Sequence, residues 1–156
     1  MIIKCIINHK PCEFDTDPTK RVIDLLREDF GLTGVKEGCG EGECGACSIL
    51  LNGQLTNSCL LAALQLQGRE VLTLEGFRET EQFRILEESF AETGAVQCGF
   101  CTPGFIMASK ALLSENPSPT REEVRDALSG NLCRCTGYES IIKGVLLAAE
   151  KGEGVW

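Results

Sequence analysis

The sequence predicts an α+β protein with a β-rich first half and a helical second half. Three observations predict it. Apolar strand-like runs broken by tight-turn residues fill the chain up to about Leu74. From Phe83 onward apolar residues recur at helical spacing. Each half carries its own set of four clustered cysteines.

In the first half, Ile2, Ile3, Ile6 and Ile7 mark a strand, Asn8-His9-Lys10 a turn, and Cys12 to Thr16 the return strand. Asp17-Pro18 is expected to open a helix, Asp as cap and Pro in the first turn, with Val22, Ile23, Leu25, Leu26 and Phe30 as its apolar face and Gly31 as its stop. Residues 34–47 are Gly-rich and irregular. Ile49–Leu51, Asn52-Gly53 and Leu55-Thr56 read as a hairpin. A helical stretch over 59–66 and a strand from Val71 to Leu74 complete this half. The order of hairpin, helix and further strands is that of a β-grasp ferredoxin-like domain.

In the second half, Thr80 caps a helix carrying Phe83, Leu86 and Phe90. Pro103 opens one carrying Ile106, Met107, Leu112 and Leu113. Asn116-Pro117-Ser118-Pro119 forms a break, and Thr120 with Glu123 makes a capping box ahead of Val124, Ala127 and Leu128. Ile141, Ile142, Val145, Leu146 and Ala149 make the last stripe. A faint repeat is visible: helix, Gly94, cysteine turn, Thr102-Pro103-Gly104, helix is echoed by helix, Gly130, cysteine turn, Thr136-Gly137, helix. Two helical hairpins would each offer one cysteine turn and bring four thiols together in a four-helix bundle. The boundary is expected near Gly76, giving domains 1–76 and 77–156.

Composition excludes several functions. The chain has 156 residues and a net charge of −8, against nucleic-acid binding, which needs clustered Lys and Arg. No apolar run is long enough for a membrane span. Met1 to Asp17 lack the features of a secretory signal, so a reducing, cytoplasmic setting is expected and ten cysteines point to metal before disulfides. No phosphate loop is present, and no G-x-G-x-x-G lies between a strand and a helix. His9, the one histidine, falls in a turn and reads as solvated. Glu41 and Glu43, like the acidic pairs Glu87-Glu88 and Glu122-Glu123, read as exposed.

Cys39-x4-Cys44-x2-Cys47 has the spacing of plant-type [2Fe–2S] loops, and Cys59 follows after eleven residues. Gly38, Gly40, Gly42 and Gly45 are expected to allow positive φ and to turn backbone N–H groups towards sulfur. A zinc knuckle, the alternative, favours paired hooks and does not require four loop glycines. The second set is Cys98-x2-Cys101 and, thirty-one residues later, Cys133-x-Cys135; alone, these four would serve zinc as well. Cys5 and Cys12 are left over and read as small hydrophobes on the first hairpin, a disulfide between them being disfavoured by a reducing compartment.

Taken together, Gly38-Cys39-Gly40-Glu41-Gly42-Glu43-Cys44-Gly45-Ala46-Cys47, Gln97-Cys98-Gly99-Phe100-Cys101-Thr102-Pro103-Gly104 and Gly130-Asn131-Leu132-Cys133-Arg134-Cys135-Thr136-Gly137-Tyr138 closely resemble the iron–sulfur subunit of the xanthine dehydrogenase family of molybdenum hydroxylases. The likeness covers almost the whole chain. It departs from free plant-type ferredoxins in the short gap to Cys59 and in the added helical half. The resemblance implies two [2Fe–2S] clusters here, a molybdopterin-type cofactor in a large partner chain and FAD in a medium one. By position, Cys98, Cys101, Cys133 and Cys135 would hold the cluster nearer the pterin, with Cys135 closest and Gln97 hydrogen-bonding the pterin. Cys39, Cys44, Cys47 and Cys59 would hold the cluster nearer the flavin. The chain itself would carry no substrate chemistry, and the substrate is expected to be a purine or another N-heterocycle, the family also acting on aldehydes and carbon monoxide. A free-standing ferredoxin is the alternative: a subunit should expose apolar patches and a shuttle should not, with Phe77, Phe100, Phe105, Tyr138 and Trp156 as candidates.

Overall fold

In the computed structural model, which describes residues 1–156, the first strand β1 (Ile2–Ile7) turns directly into β2 (Lys10–Asp15). Asn8 and His9 alone make the turn, with φ of 50° and 66°, as a two-residue turn matched to strand twist requires. Lys10 therefore belongs to β2. Alternation sends Ile3, Cys5 and Ile7 into the core and Ile2, Lys4 and Ile6 outward. The second hairpin, β3 (Ser48–Leu51) and β4 (Gln54–Asn57), repeats the device at Asn52-Gly53, with φ of 49° and 79°.

The five-stranded sheet runs β2-β1-β5-β3-β4, where β5 is Glu70–Leu72. β5 pairs parallel with β1 and antiparallel with β3. Helix α1 (Val22–Asp24, continued as a wider π-type turn through Leu25–Asp29) lies in the hollow of this sheet. Val22, Ile23, Leu25 and Leu26 pack there on Ile3, Ile49, Leu51 and Val71, the grasp expected of the first half.

Three local expectations are corrected. Asp17-Pro18 does not start a helix: the Asp17 carboxylate accepts from the Thr19 N–H and hydroxyl at 2.8 and 2.7 Å, closing a turn of its own. The chain stays extended at Arg21, which bridges to Ala62, and the helix begins at Val22. The stretch 59–66 is two 3-10 turns, Ser58–Leu60 and Ala63–Leu66, parted where Leu61 accepts from the Val22 N–H. The last strand ends at Leu72, and Leu74 already belongs to a short helix, α2 (Leu74–Phe77).

The second half holds α3 (Glu81–Thr93), α4 (Thr102–Glu115), α5 (Arg121–Ala127) and α6 (Glu139–Lys151). Thr80 accepts from the Phe83 N–H, and Thr120 and Glu123 cap reciprocally, as the sequence predicts. α3 and α6 lie side by side, and Gly144 is required at their crossing: a Cβ there would sit 2.9 Å from the Phe90 ring. Their core joins Leu86, Phe90, Phe105, Met107, Val124 and Val145, and it takes in Leu50 from β3, because α4 packs on that strand. The architecture is a β-sheet ferredoxin-like domain followed by a helical one. No helix is long and apolar enough to cross a membrane.

Candidate metal centres

Helix α1 and the loop that follows it are tied together before the first cysteine. Arg21 forks between Asp24 and Glu37, with Nη1 2.6 Å from Glu37 Oε1. This bidentate pairing holds the loop entrance against the helix and keeps the guanidinium protonated. Arg27 donates to the carbonyls of Thr33 and Val35.

Within the loop, Cys39 Sγ accepts from the N–H groups of Glu41, Glu43 and Cys44 at 3.3–3.4 Å. These donors favour the thiolate and bring Cys39 down to about 7. Gly40, Gly42 and Gly45 have φ of 69°, 80° and 71°, which lets successive N–H groups converge. Gly38 is different from what the sequence suggests. Its φ is not positive. It is glycine for space, since a Cβ would lie 2.9 Å from Cys44 Sγ.

Cys59 arrives from the 3-10 turn after β4. It is buried and interacts with Cys47, and desolvation pushes it up to about 11. Asn57 fixes this side by donating to the Gly42 carbonyl at 2.9 Å. Leu60 lies over Gly42 and shields the loop.

The second set stands on the two helical hairpins, as the faint repeat suggests. Cys98 and Cys135 lie with their sulfurs 3.6 Å apart, both exposed. Cys101, at the head of α4, meets Cys133 and is raised to about 12, mainly by burial. Burial also acts on Cys133, but hydrogen bonds from the Thr136 hydroxyl and N–H outweigh it and bring that thiol to about 7. Tyr138, at φ 73°, turns the chain into α6 and accepts from the Cys133 N–H at 3.1 Å.

The thiols thus come in twos: Cys39 with Cys44, Cys47 with Cys59, Cys98 with Cys135 and Cys101 with Cys133. No three or more His, Cys, Asp or Glu side chains gather about one point as they would for a single ion. A tetrahedral zinc needs four donors around one centre, whereas a two-iron cluster takes two thiolates on each iron. The donor sets fit two such clusters.

The remaining candidates fall as follows. Gln97 is exposed beside Cys98. Glu41 and Glu43 face solvent. His9 is exposed, 3.3 Å from Glu70. Cys5 and Cys12 face each other across β1 and β2, outside both sets. Sequence reasoning took Thr136 only as part of the faint repeat and Tyr138 only as an apolar-patch candidate, and it gave Asn131 no role. The first two had a visible signal, polar residues within three to five positions of Cys133; the part Asn131 plays depends on a contact 86 residues away.

Two family descriptions match the chain: "2Fe-2S iron-sulfur cluster binding domain" over residues 5–73 and "[2Fe-2S] binding domain" over residues 73–146. The nicotinate dehydrogenase small FeS subunit of Eubacterium barkeri is 55% identical over 136 residues, covering 87% of each chain. The xanthine dehydrogenase iron-sulfur-binding subunit of Escherichia coli O157:H7 is 47% identical, covering 92% of this chain and 91% of that one. Among solved structures, quinoline 2-oxidoreductase from Pseudomonas putida 86 superposes with a TM-score of 0.93 at 45% identity, over 99% of this chain and 97% of that one. The chain belongs to the small [2Fe–2S] subunits of the xanthine dehydrogenase, or molybdenum hydroxylase, family, as an electron-transfer component that performs no substrate chemistry of its own.

Proposed function

We propose that this chain carries electrons between two partner chains of a cytoplasmic molybdenum hydroxylase: a large one holding a molybdenum–pterin cofactor and a medium one holding FAD. Cys98, Cys101, Cys133 and Cys135 are the receiving set, and Cys39, Cys44, Cys47 and Cys59 the delivering set. When bound, the clusters supply one-electron carriers; the chain's own residues hold them, shield them and set their surroundings.

The observation that carries the reading is the unequal exposure of the two sets. Cys98 and Cys135 lie open, and around them stand Val96, Phe100, Leu132 and Tyr138, from 37% to 54% exposed. An apolar rim about an open redox site suits a docked partner better than a diffusing shuttle. Gln97 lies on this rim beside Cys98, where an amide would reach a partner's pterin, and the family resemblance makes Cys135 the ligand closest to that pterin. Of the five aromatic candidates, Phe100 and Tyr138 are exposed, Phe77 and Phe105 are core, and Trp156 packs on α6 through a bond to the Ala148 carbonyl. Relatives named for nicotinate, xanthine and quinoline support an N-heterocyclic substrate.

The test is purification of this chain from its native host without disrupting its assembly. The expected result is co-purification with two larger chains, about four irons and four labile sulfides per copy of this chain, and bleaching of both clusters by an N-heterocycle. A lone chain, zinc in either set, or bleaching by aldehydes alone would overturn the corresponding part.

A further inference from the structure

Beyond the α2 turn that joins them, the two halves share only two hydrogen bonds, and both lie between the cysteine loops. The Leu132 N–H donates to the Cys44 carbonyl at 2.9 Å. One residue earlier, Asn131 Nδ2 donates to the Gly45 carbonyl at 3.2 Å. Asn131 is 4% exposed. Its own N–H is fixed on the Leu128 carbonyl at the end of α5. The Gly45 carbonyl is braced from its own side by the Ser48 hydroxyl at 2.7 Å.

The backbones meet here with no room to spare. A Cβ on Gly45 would sit 2.5 Å from the Gly130 carbonyl, and one on Gly104, in the first turn of α4, would sit 2.3 Å from the Gly45 carbonyl. Two glycines, Gly45 and Gly104, let the chain segments touch, and Asn131 is the side chain that binds across them. A buried amide costs free energy unless it is paired, so a side chain of this kind makes its stabilising contribution only when the seam is closed.

We propose that Asn131 is a positioning residue that clamps the two cysteine loops together. By holding Gly45 it keeps the neighbouring Cys44 carbonyl on the Leu132 N–H. Cys44 and Cys133 are then joined by one hydrogen bond and one residue of chain, and the separation of the two ligand sets is fixed. With both clusters bound, single electrons would pass across this seam, one cluster being oxidised as the other is reduced, with no bond broken. The inference rests on the electron-transfer reading above.

The test uses the full chain carrying both clusters. Asn131→Leu keeps the branched heavy-atom shape and replaces the amide with methyl groups, which removes the donor. Loss of a buried hydrogen bond shifts a local open–closed equilibrium by roughly fivefold. Hydrogen exchange at the Leu132 amide should therefore accelerate by roughly fivefold. Electron redistribution between the clusters after pulsed reduction should slow, and the magnetic splitting between the two reduced clusters should narrow. The iron content and the separate EPR line positions stay as in the wild type. Asn131→Gln, which keeps an amide donor, should recover part of each effect. Unchanged Leu132 exchange with unchanged splitting in Asn131→Leu overturns the clamp. If that variant loses a cluster, Gly104→Ala opens the same seam from α4: faster Leu132 exchange with slower redistribution supports the clamp, and wild-type values of both overturn it. Failure of the electron-transfer reading looks different. Substrate would then leave the Cys39 set oxidised in the wild-type assembled enzyme, while Leu132 exchange would still report on Asn131.

Discussion

The loop around Cys39 and the turns around Cys98 and Cys135 hold the same number of thiols by different means. The first is a glycine loop closed by its own chain: three N–H groups converge on Cys39, Asn57 ties Gly42, and Leu60 covers the approach. The second is held at the mouths of two helical hairpins. There one inner pair, Cys101 and Cys133, is partly buried, while the outer pair is left open within an apolar rim. A site whose surroundings come from its own backbone needs no partner to set them. A site left half open takes part of its surroundings from whatever docks there.

Cys135→Ser tests this difference most severely. It should abolish the EPR signal of the helical-domain cluster and reduce electron transfer from substrate by orders of magnitude. The Cys39 set should still accept electrons from a chemical reductant. Flavin reduction from substrate at the wild-type rate in this variant would show that the path does not run through the open site.

Next in size is Gly38→Ala. Its Cβ would meet Cys44 Sγ at 2.9 Å, so the glycine loop should load poorly and iron should fall from about four towards two per chain. The helical cluster's signal should persist. Equal loss of both clusters would mean that the sites do not assemble independently.

Thr80→Ala removes the N-cap of α3 and should destabilise the helical domain by about 1 kcal/mol. Denaturant unfolding should report it, with the first cluster's spectrum unchanged. A smaller effect on the same domain comes with acid. Glu139 is held below its ordinary value of 4.5, first by the hydrogen bond from Arg121, and Glu123 likewise by the Thr120 N–H. A carboxyl lowered on folding contributes stability that is complete above its unfolded value and is lost as pH falls through the folded one. The helical domain should therefore weaken slightly below about pH 4.5, and Glu139→Gln should flatten that part of the titration. Smallest of all, Cys5→Ala and Cys12→Ala should leave both cluster spectra unaltered. Loss of either spectrum would show that the first hairpin contributes a ligand.

Much of this was written locally. Asn52-Gly53 needs only two residues to specify its turn, Thr80 and Thr120 with Glu123 need only the next turn of helix, and the cysteine spacings place two sets of four thiols on a loop and on two helical hairpins. The turn and the caps depend on neighbours no more than four positions away, and the sequence displays those neighbours directly. Where distant chain enters, local reading failed. Asp17-Pro18 looks like a helix start, but Arg21 is drawn into an extended bridge with Ala62. The stretch 59–66 has helical residues, yet the Val22 N–H takes the Leu61 carbonyl and divides it. Gly38 looks like its neighbours, and only the position of Cys44 Sγ shows that it is glycine for lack of space. Phe100 and Phe105 are equally apolar in sequence, and packing alone sends one to the surface and the other to the core. Covalent spacing and short-range hydrogen bonds set the α+β order, the Asn52-Gly53 turn, the Thr80 and Thr120 caps and the grouping of the cysteines along the chain, and these the sequence determined. Tertiary structure alone decided that Cys98 meets Cys135 and Cys101 meets Cys133, which set lies open and that Asn131 joins the two loops, because these are contacts between segments tens of residues apart; at the Asn131 seam the packing of α4 on β3 helps bring the two halves within reach.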